Sequence, residues 1–153
     1  MRPLVPPPIV TLLAGALMWA LDRWLPLIHW LHPPWNRLGG IPIVVGVGVM
    51  LAAVLRFRRA HTTVNPMDPA KATQLVIGGV FRFSRNPMYL GLTLLLIGWA
   101  MWLDSVSPCI IPPLFVIVIT LVQIIPEEEA LEKIFGSQYL AYRQRVARWF
   151  CFG

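Results

Sequence analysis

The chain has 153 residues, of which 57% are hydrophobic and 13% charged, with a mean hydropathy of +0.66. That balance excludes an ordinary soluble domain. The net charge of +6 does not indicate a nucleic-acid binder, because the basic residues lie between apolar runs rather than along one face; membrane orientation accounts for them.

The start is Pro-rich (Pro3, Pro6, Pro7, Pro8) and leads into an apolar run, Ile9 to Leu31, with no small-residue cleavage site, so it is expected to be a retained first helix. Asp22 and Arg23 are tolerable there only near the outer end or facing other helices. Trp19, Trp24, Trp30 and Trp35 crowd that end, where aromatic rings anchor at headgroup level. Further apolar stretches run Leu38 to Leu55, Met88 to Leu103 and Cys109 to Ile125. Each approaches the roughly 17 to 25 residues that a spanning helix requires. The expected fold is therefore a single all-α membrane domain, residues 1–153, of about four transmembrane helices (about 9–31, 38–55, 88–103 and 109–125).

Between the second and third stretches lies a loop, residues 57–87, whose apolar and turn-forming pieces predict ordered backbone against the membrane surface. It carries Arg58, Arg59, Lys71, Arg82 and Arg85, with Arg56 just before it, and the tail carries Lys133, Arg143, Arg145 and Arg148. The opposite side has Arg37, with Arg23 near a helix end. The positive-inside rule then places both termini, the loop and the tail in the cytoplasm. A prokaryotic inner membrane is the expected location. The tail, residues 126–153, is predicted to be helical. Pro126 suits a first helical position, Glu127, Glu128 and Glu129 complement the helix dipole, and Leu131, Ile134, Phe135, Tyr139, Tyr142, Val146 and Trp149 form an apolar stripe. Gly136 marks a bend, and the amphipathic segment either folds back on the bundle or lies at the interface.

No serine triad, metal cluster or phosphate loop is present in the sequence, and Cys109 and Cys151 have no metal-ligand or disulfide pattern around them. His29 and His32 fall on the outer side and His61 stands alone in the loop. An antiparallel hairpin of the last two helices would instead bring Gly79 to Gly91 and Glu127 to Glu129 to one membrane face. That pairing builds a polar pocket with an apolar floor, suited to a zwitterionic or cationic small molecule; alternatively, Pro and Gly only shape the helix start and the acids only cap.

Leu75-Val76 through Phe81, Arg85-Asn86-Pro87-Met88-Tyr89-x-Gly91, Glu127-Glu128, Phe135-Gly136, Tyr139, Tyr142 and Arg145-Val146-x-Arg148 resemble the signature of the isoprenylcysteine carboxyl methyltransferase and phospholipid methyltransferase superfamily. The resemblance covers roughly Thr62 to Trp149. It implies an integral membrane enzyme that methylates a lipophilic small molecule or lipidated acceptor, in contact with membrane lipid, using S-adenosylmethionine. Carried over by position, the cofactor contacts fall on Thr73, Gln74, Leu75, Val76, Phe81, Asn86, Pro87, Met88, Tyr89 and Glu127. Asn86 stands where eukaryotic members have His, retaining a hydrogen-bonding group. Gln123 stands at the acceptor-binding position of an arginine, and a neutral amide cannot pair with a carboxylate as a guanidinium fork does.

The implied chemistry is in-line displacement at a sulfonium methyl, driven by positioning and exclusion of water. A carboxylate or thiolate acceptor needs no general base; an amine must lose a proton, with Glu128, Tyr89 and His61 as candidates. Two other readings stay open: a membrane reductase using NADPH, whose known forms are longer, and a non-catalytic membrane protein of the same fold.

Overall fold

The computed structural model describes residues 6–60 and 74–150. Thr73, His61 and Cys151 lie outside the described residues. The described chain is helical, and its one β-type contact among these residues is an isolated bridge between His29 and Ser105.

Helix α1, Pro7–Trp24, opens on a proline whose missing N–H costs nothing in the first turn. It ends seven residues before the apolar run does. Leu25 precedes Pro26, and a residue before proline disfavours the helical region. The chain then extends across the turn that follows the third helix. The Trp30 amide donates to the Asp104 carbonyl at 3.0 Å and the Val106 amide to the Ile28 carbonyl at 2.9 Å. Asp104, in the left-handed region at φ 67°, also accepts from the Leu31 amide at 2.8 Å and faces His29 and His32 at 3.5 and 3.3 Å. The first apolar run is therefore a helix of 18 residues followed by an extended cover, not one long span.

Helix α2, Gly40–Arg59, continues a 3₁₀ turn at Trp35–Gly39 and pairs antiparallel with α3, Pro87–Leu103. Glycine makes that contact possible. A Cβ on Gly46 would stand 2.7 Å from the Gly91 carbonyl oxygen, and one on Gly39 would collide with the carbonyl oxygen of Gly98. Small residues at these crossings let the backbones approach as membrane helices do, where dispersion replaces the hydrophobic effect.

Beyond a 3₁₀ turn at Ser107–Ile110, helix α4 (Ile111–Ile119) passes through a π turn, Thr120–Ile124, into α5 (Ile125–Phe135). Pro126 stands in the first turn of α5, as expected, yet the rod runs on without a gap from Ser107 to Phe135. Proline has no N–H to give to the preceding turn, and the wider π spacing accommodates that loss. Thr120 Oγ1 also donates back to the Val116 carbonyl at 2.6 Å. Gly136, at φ 50°, makes the expected bend into α6, Ser137–Arg145.

Two helices, Trp35–Arg59 and Ser107–Phe135, are long and apolar enough to cross a membrane, and Pro87–Leu103 is a shorter apolar helix. Their outward faces carry exposed Val44, Leu51 and Leu55 on one and Leu114, Ile117 and Leu121 on the other. So much exposed aliphatic surface fits lipid as the solvent. Met18, Leu96, Ala100, Ile111, Phe115, Ile119 and Ile124 form the main core. A second cluster joins Ala53 and Phe81 to Tyr139, Tyr142 and Val146, with Phe57, Leu75, Val76, Met88 and Leu131 packed on it. The tail stripe is thus folded back on the bundle, over the end of α2.

The glycine contact gives a direct test. Gly46→Val is expected to destabilise by about 1–3 kcal/mol through overpacking, whereas Gly48→Val, with nothing within 4 Å of its Cβ position, is expected to be nearly neutral. Melting curves of the two variants in one detergent compare them.

Candidate functional site

The start of α3 and the α5 turn that follows the π segment meet as the hairpin argument expects. Pro87 fills the first helical position and is fully buried, so the backbone before it must leave the helical region. Asn86 sits there at φ −128° and ψ 56°, and its side chain does not cap the helix. Its Nδ2 donates instead to the Arg148 carbonyl at 3.1 Å and to Glu128 Oε1 at 3.5 Å, while its backbone amide donates to Ser84 Oγ at 3.0 Å. One turn further along, Tyr89 donates its hydroxyl to Glu127 Oε2 at 2.9 Å.

Glu128 is the buried centre of this arrangement. Arg148 reaches it through Nε at 3.2 and 3.3 Å and through Nη2 at 2.9 Å, and Arg85 Nη2 approaches Oε1 at 3.3 Å. The hydrogen bond to Glu128 raises the Arg148 pKa against the cost of desolvation. Two guanidinium groups on one carboxylate make Glu128 an anchor; neither of its oxygens is left clear to take a proton from an acceptor. The C-terminal segment is tied in at more points: Arg85 N donates to the Ala147 carbonyl at 3.0 Å, Ser84 Oγ to the Arg148 carbonyl at 3.3 Å, and Trp149 Nε1 to Thr120 Oγ1 at 3.2 Å. Val146 to Trp149 therefore form a strap across the polar cluster.

Gln123 is buried on the π segment, four positions before Glu127 on the same rod. Met88 faces the second cluster. Phe81 is buried there, edge-on to Phe57 at 5.1 Å between ring centres, and its carbonyl accepts from the Tyr142 hydroxyl at 2.7 Å. Burial and the neighbouring Tyr139 push the Tyr142 pKa up, outweighing Arg85, so this hydroxyl stays a donor at physiological pH. Gln74, Leu75 and Val76 lie on the far side of the Phe81 turn. They line, with Arg56, Arg59, Ala60 and Gly78, a cavity of about 300 Å³ at the end of α2.

The structure thus gathers Asn86, Tyr89, Glu127 and Glu128 in one cluster and sets Gln74, Leu75 and Val76 in a neighbouring cavity. Sequence reasoning gave no individual role to Ser84, Arg85, Arg148 or Arg56. Arg85 and Arg148 do belong to the motif that carried the resemblance, yet only their pairing with Glu128 across 43 and 20 positions shows what they do. Among the described residues no group of three or more His, Cys, Asp or Glu side chains is arranged to hold a metal.

Residues 35–138, about two thirds of the chain, match the family model for phospholipid methyltransferase. The chain belongs to that family. This phospholipid methyltransferase family member is 32% identical over 123 residues to protein-S-isoprenylcysteine O-methyltransferase A of Arabidopsis thaliana, an alignment covering 78% of this chain and 59% of the plant protein. A protein of Haemophilus influenzae described as uncharacterised is 42% identical over 62 residues, 40% of this chain and 98% of its own length. No solved structure matches the chain. The matches to the family and to the plant protein support the superfamily that the Asn86-Pro87 and Glu127-Glu128 motifs resemble.

Removing the anchor carboxylate leaves two guanidinium groups facing each other. Glu128→Ala is therefore expected to cost about 3 kcal/mol, and Arg148→Ala, whose side chain is one-third exposed, about 1 kcal/mol. Denaturant midpoints of both purified variants measure the difference.

Proposed function

We propose that this chain is a membrane methyltransferase that uses S-adenosylmethionine to methylate a lipophilic acceptor. The observation that carries the proposal is the Tyr89–Glu127 pair beside the Asn86–Glu128–Arg148 cluster, in a chain that belongs to the phospholipid methyltransferase family. The residues present fit such a cofactor. Glu127 offers a carboxylate to a cationic group, and Gln74, Leu75 and Val76 line a cavity large enough for part of a small ligand. When bound, S-adenosylmethionine supplies an electrophilic methyl group.

The chain's own contribution is position and charge. Arg85 and Arg148 fix Glu128, Glu128 and the Arg148 carbonyl hold the Asn86 amide, and Tyr89 orients Glu127. Rigid polar groups set beside an apolar core favour a charged reacting centre without reorganising as charge moves. With Glu128 occupied by arginines, Glu127 is the described group placed to take a proton from an amine acceptor, with the Tyr89 hydroxyl that donates to it positioned to relay one; a carboxylate acceptor would need none. We place this site and both termini on the cytosolic side, because Arg56, Arg58, Arg59, Arg82 and Arg85 gather at that end. The acceptor reaches it from the bilayer.

Calorimetric titration of the detergent-purified protein with S-adenosylhomocysteine, alongside NADPH, tests the reading. Saturable binding of the former alone is expected. Binding of NADPH alone would indicate a reductase, and binding of neither a non-catalytic membrane protein. Glu127→Ala and Asn86→Ala are each expected to weaken S-adenosylmethionine by about 1–3 kcal/mol, the worth of a buried polar contact; unchanged affinity in both removes the pocket assignment.

A further inference from the structure

We infer that Arg56 and Arg59 form an oxyanion subsite that receives the amino-acid carboxylate of the cofactor, an inference that rests on the methyltransferase reading above. Both side chains line the cavity of about 300 Å³ whose other walls are Ala60, Gln74, Leu75, Val76 and Gly78. Among the described residues the lining has two cations and no acid. Among the described residues neither guanidinium makes an ion pair, and an anion entering there meets positive charge on the wall formed by α2.

Arg56 is not a loose surface side chain. Its guanidinium lies 3.6 Å from the Cβ position of Gly78, and its Nε occupies the space a Cβ on Gly79 would need. Gly79 has φ 65°, a conformation that glycine adopts without steric cost. The turn thus admits the arginine for two reasons: the backbone follows a path open to glycine, and no side chain stands in the way. A planar guanidinium held against the backbone loses less freedom on binding an oxyanion than a free lysine would.

The cavity joins the polar cluster through one turn of chain. Gly79–Arg82 form a 3₁₀ turn in which Phe81 is buried against Phe57, Tyr139 and Tyr142, and Met88 of α3 packs on the same group. A carboxylate near the arginines and a cationic centre near Glu127 match the charges at the two places. Arg56 and Arg59 lie within the span matched to the family model but outside the motifs that carried the resemblance, and their basic character had been read only as a signal of orientation.

The test compares S-adenosylhomocysteine with its decarboxylated analogue S-adenosyl-3-thiopropylamine by calorimetry, using the full chain in phosphatidylcholine nanodiscs. Variants are Arg56→Gln and Arg59→Gln; Arg59 is not among the side chains within reach of the Gly78 and Gly79 Cβ positions, so the second guards against misfolding by the first. Each is expected to weaken S-adenosylhomocysteine about 10- to 100-fold, the range for a charged hydrogen bond, and to leave the analogue within about 2-fold. Equal weakening of both ligands would overturn the subsite and leave the arginines as supports of the turn. Unchanged binding of both would overturn it too, as would an effect confined to nanodiscs containing phosphatidylglycerol, which would assign the cavity to lipid phosphate. No binding of S-adenosylhomocysteine by the unaltered protein would remove the cofactor reading itself and the subsite with it.

Discussion

A buried carboxylate shared by two arginines holds one end of this helical bundle together. Glu128 belongs to the long apolar rod, Arg85 to the turn before α3, and Arg148 to the strap after α6, so one side chain fastens three separate pieces of chain. A charge in such surroundings is costly unless its lone pairs are filled. Here they are, by two guanidinium groups and an amide, and the filling is what fixes Asn86. The neighbouring Tyr89–Glu127 pair then sits on a frame that does not have to rearrange.

The glycine contacts at the α2–α3 crossing serve the same end from the apolar side. Because Gly46 and Gly91 meet backbone to backbone, α2 is held close to α3 over much of its length. Its last turn therefore lies beside the Gly78–Gly79 turn, with Arg56 laid against it. Apolar packing in the middle of the bundle sets the spacing of charged groups at its end.

Much of this was legible in the sequence, and what was not has identifiable causes. Apolar run length located α2 and α3 to within a few residues, because burial in lipid demands continuous hydrophobicity. The run from Ile9 to Leu31 misled at its end: hydropathy does not sense that Leu25 is followed by proline, or that Ile28 and Trp30 have partners on Asp104 and Val106. Gly136 was readable as a bend because its backbone conformation is one that glycine favours. Asn86, Tyr89, Glu127 and Glu128 were readable as neighbours because a hairpin brings their helix ends together. The strap was not, since the contacts that make it run from Arg148 to main-chain and side-chain atoms far away in sequence.

The π turn at Thr120–Ile124 has a consequence for phase. A single wide turn holds one more residue than an α turn, so everything after it is rotated by roughly 100° relative to an unbroken helix. Leu121 and Val122 face outward before Gln123, Ile124 and Glu128 turn inward. The extra residue works as a phase shifter: it lets one continuous rod show hydrocarbon to lipid along its first half and acid to the protein interior in its second. Loss of a single residue from the segment would swing the acidic face toward the bilayer while leaving hydropathy and helix length almost unchanged.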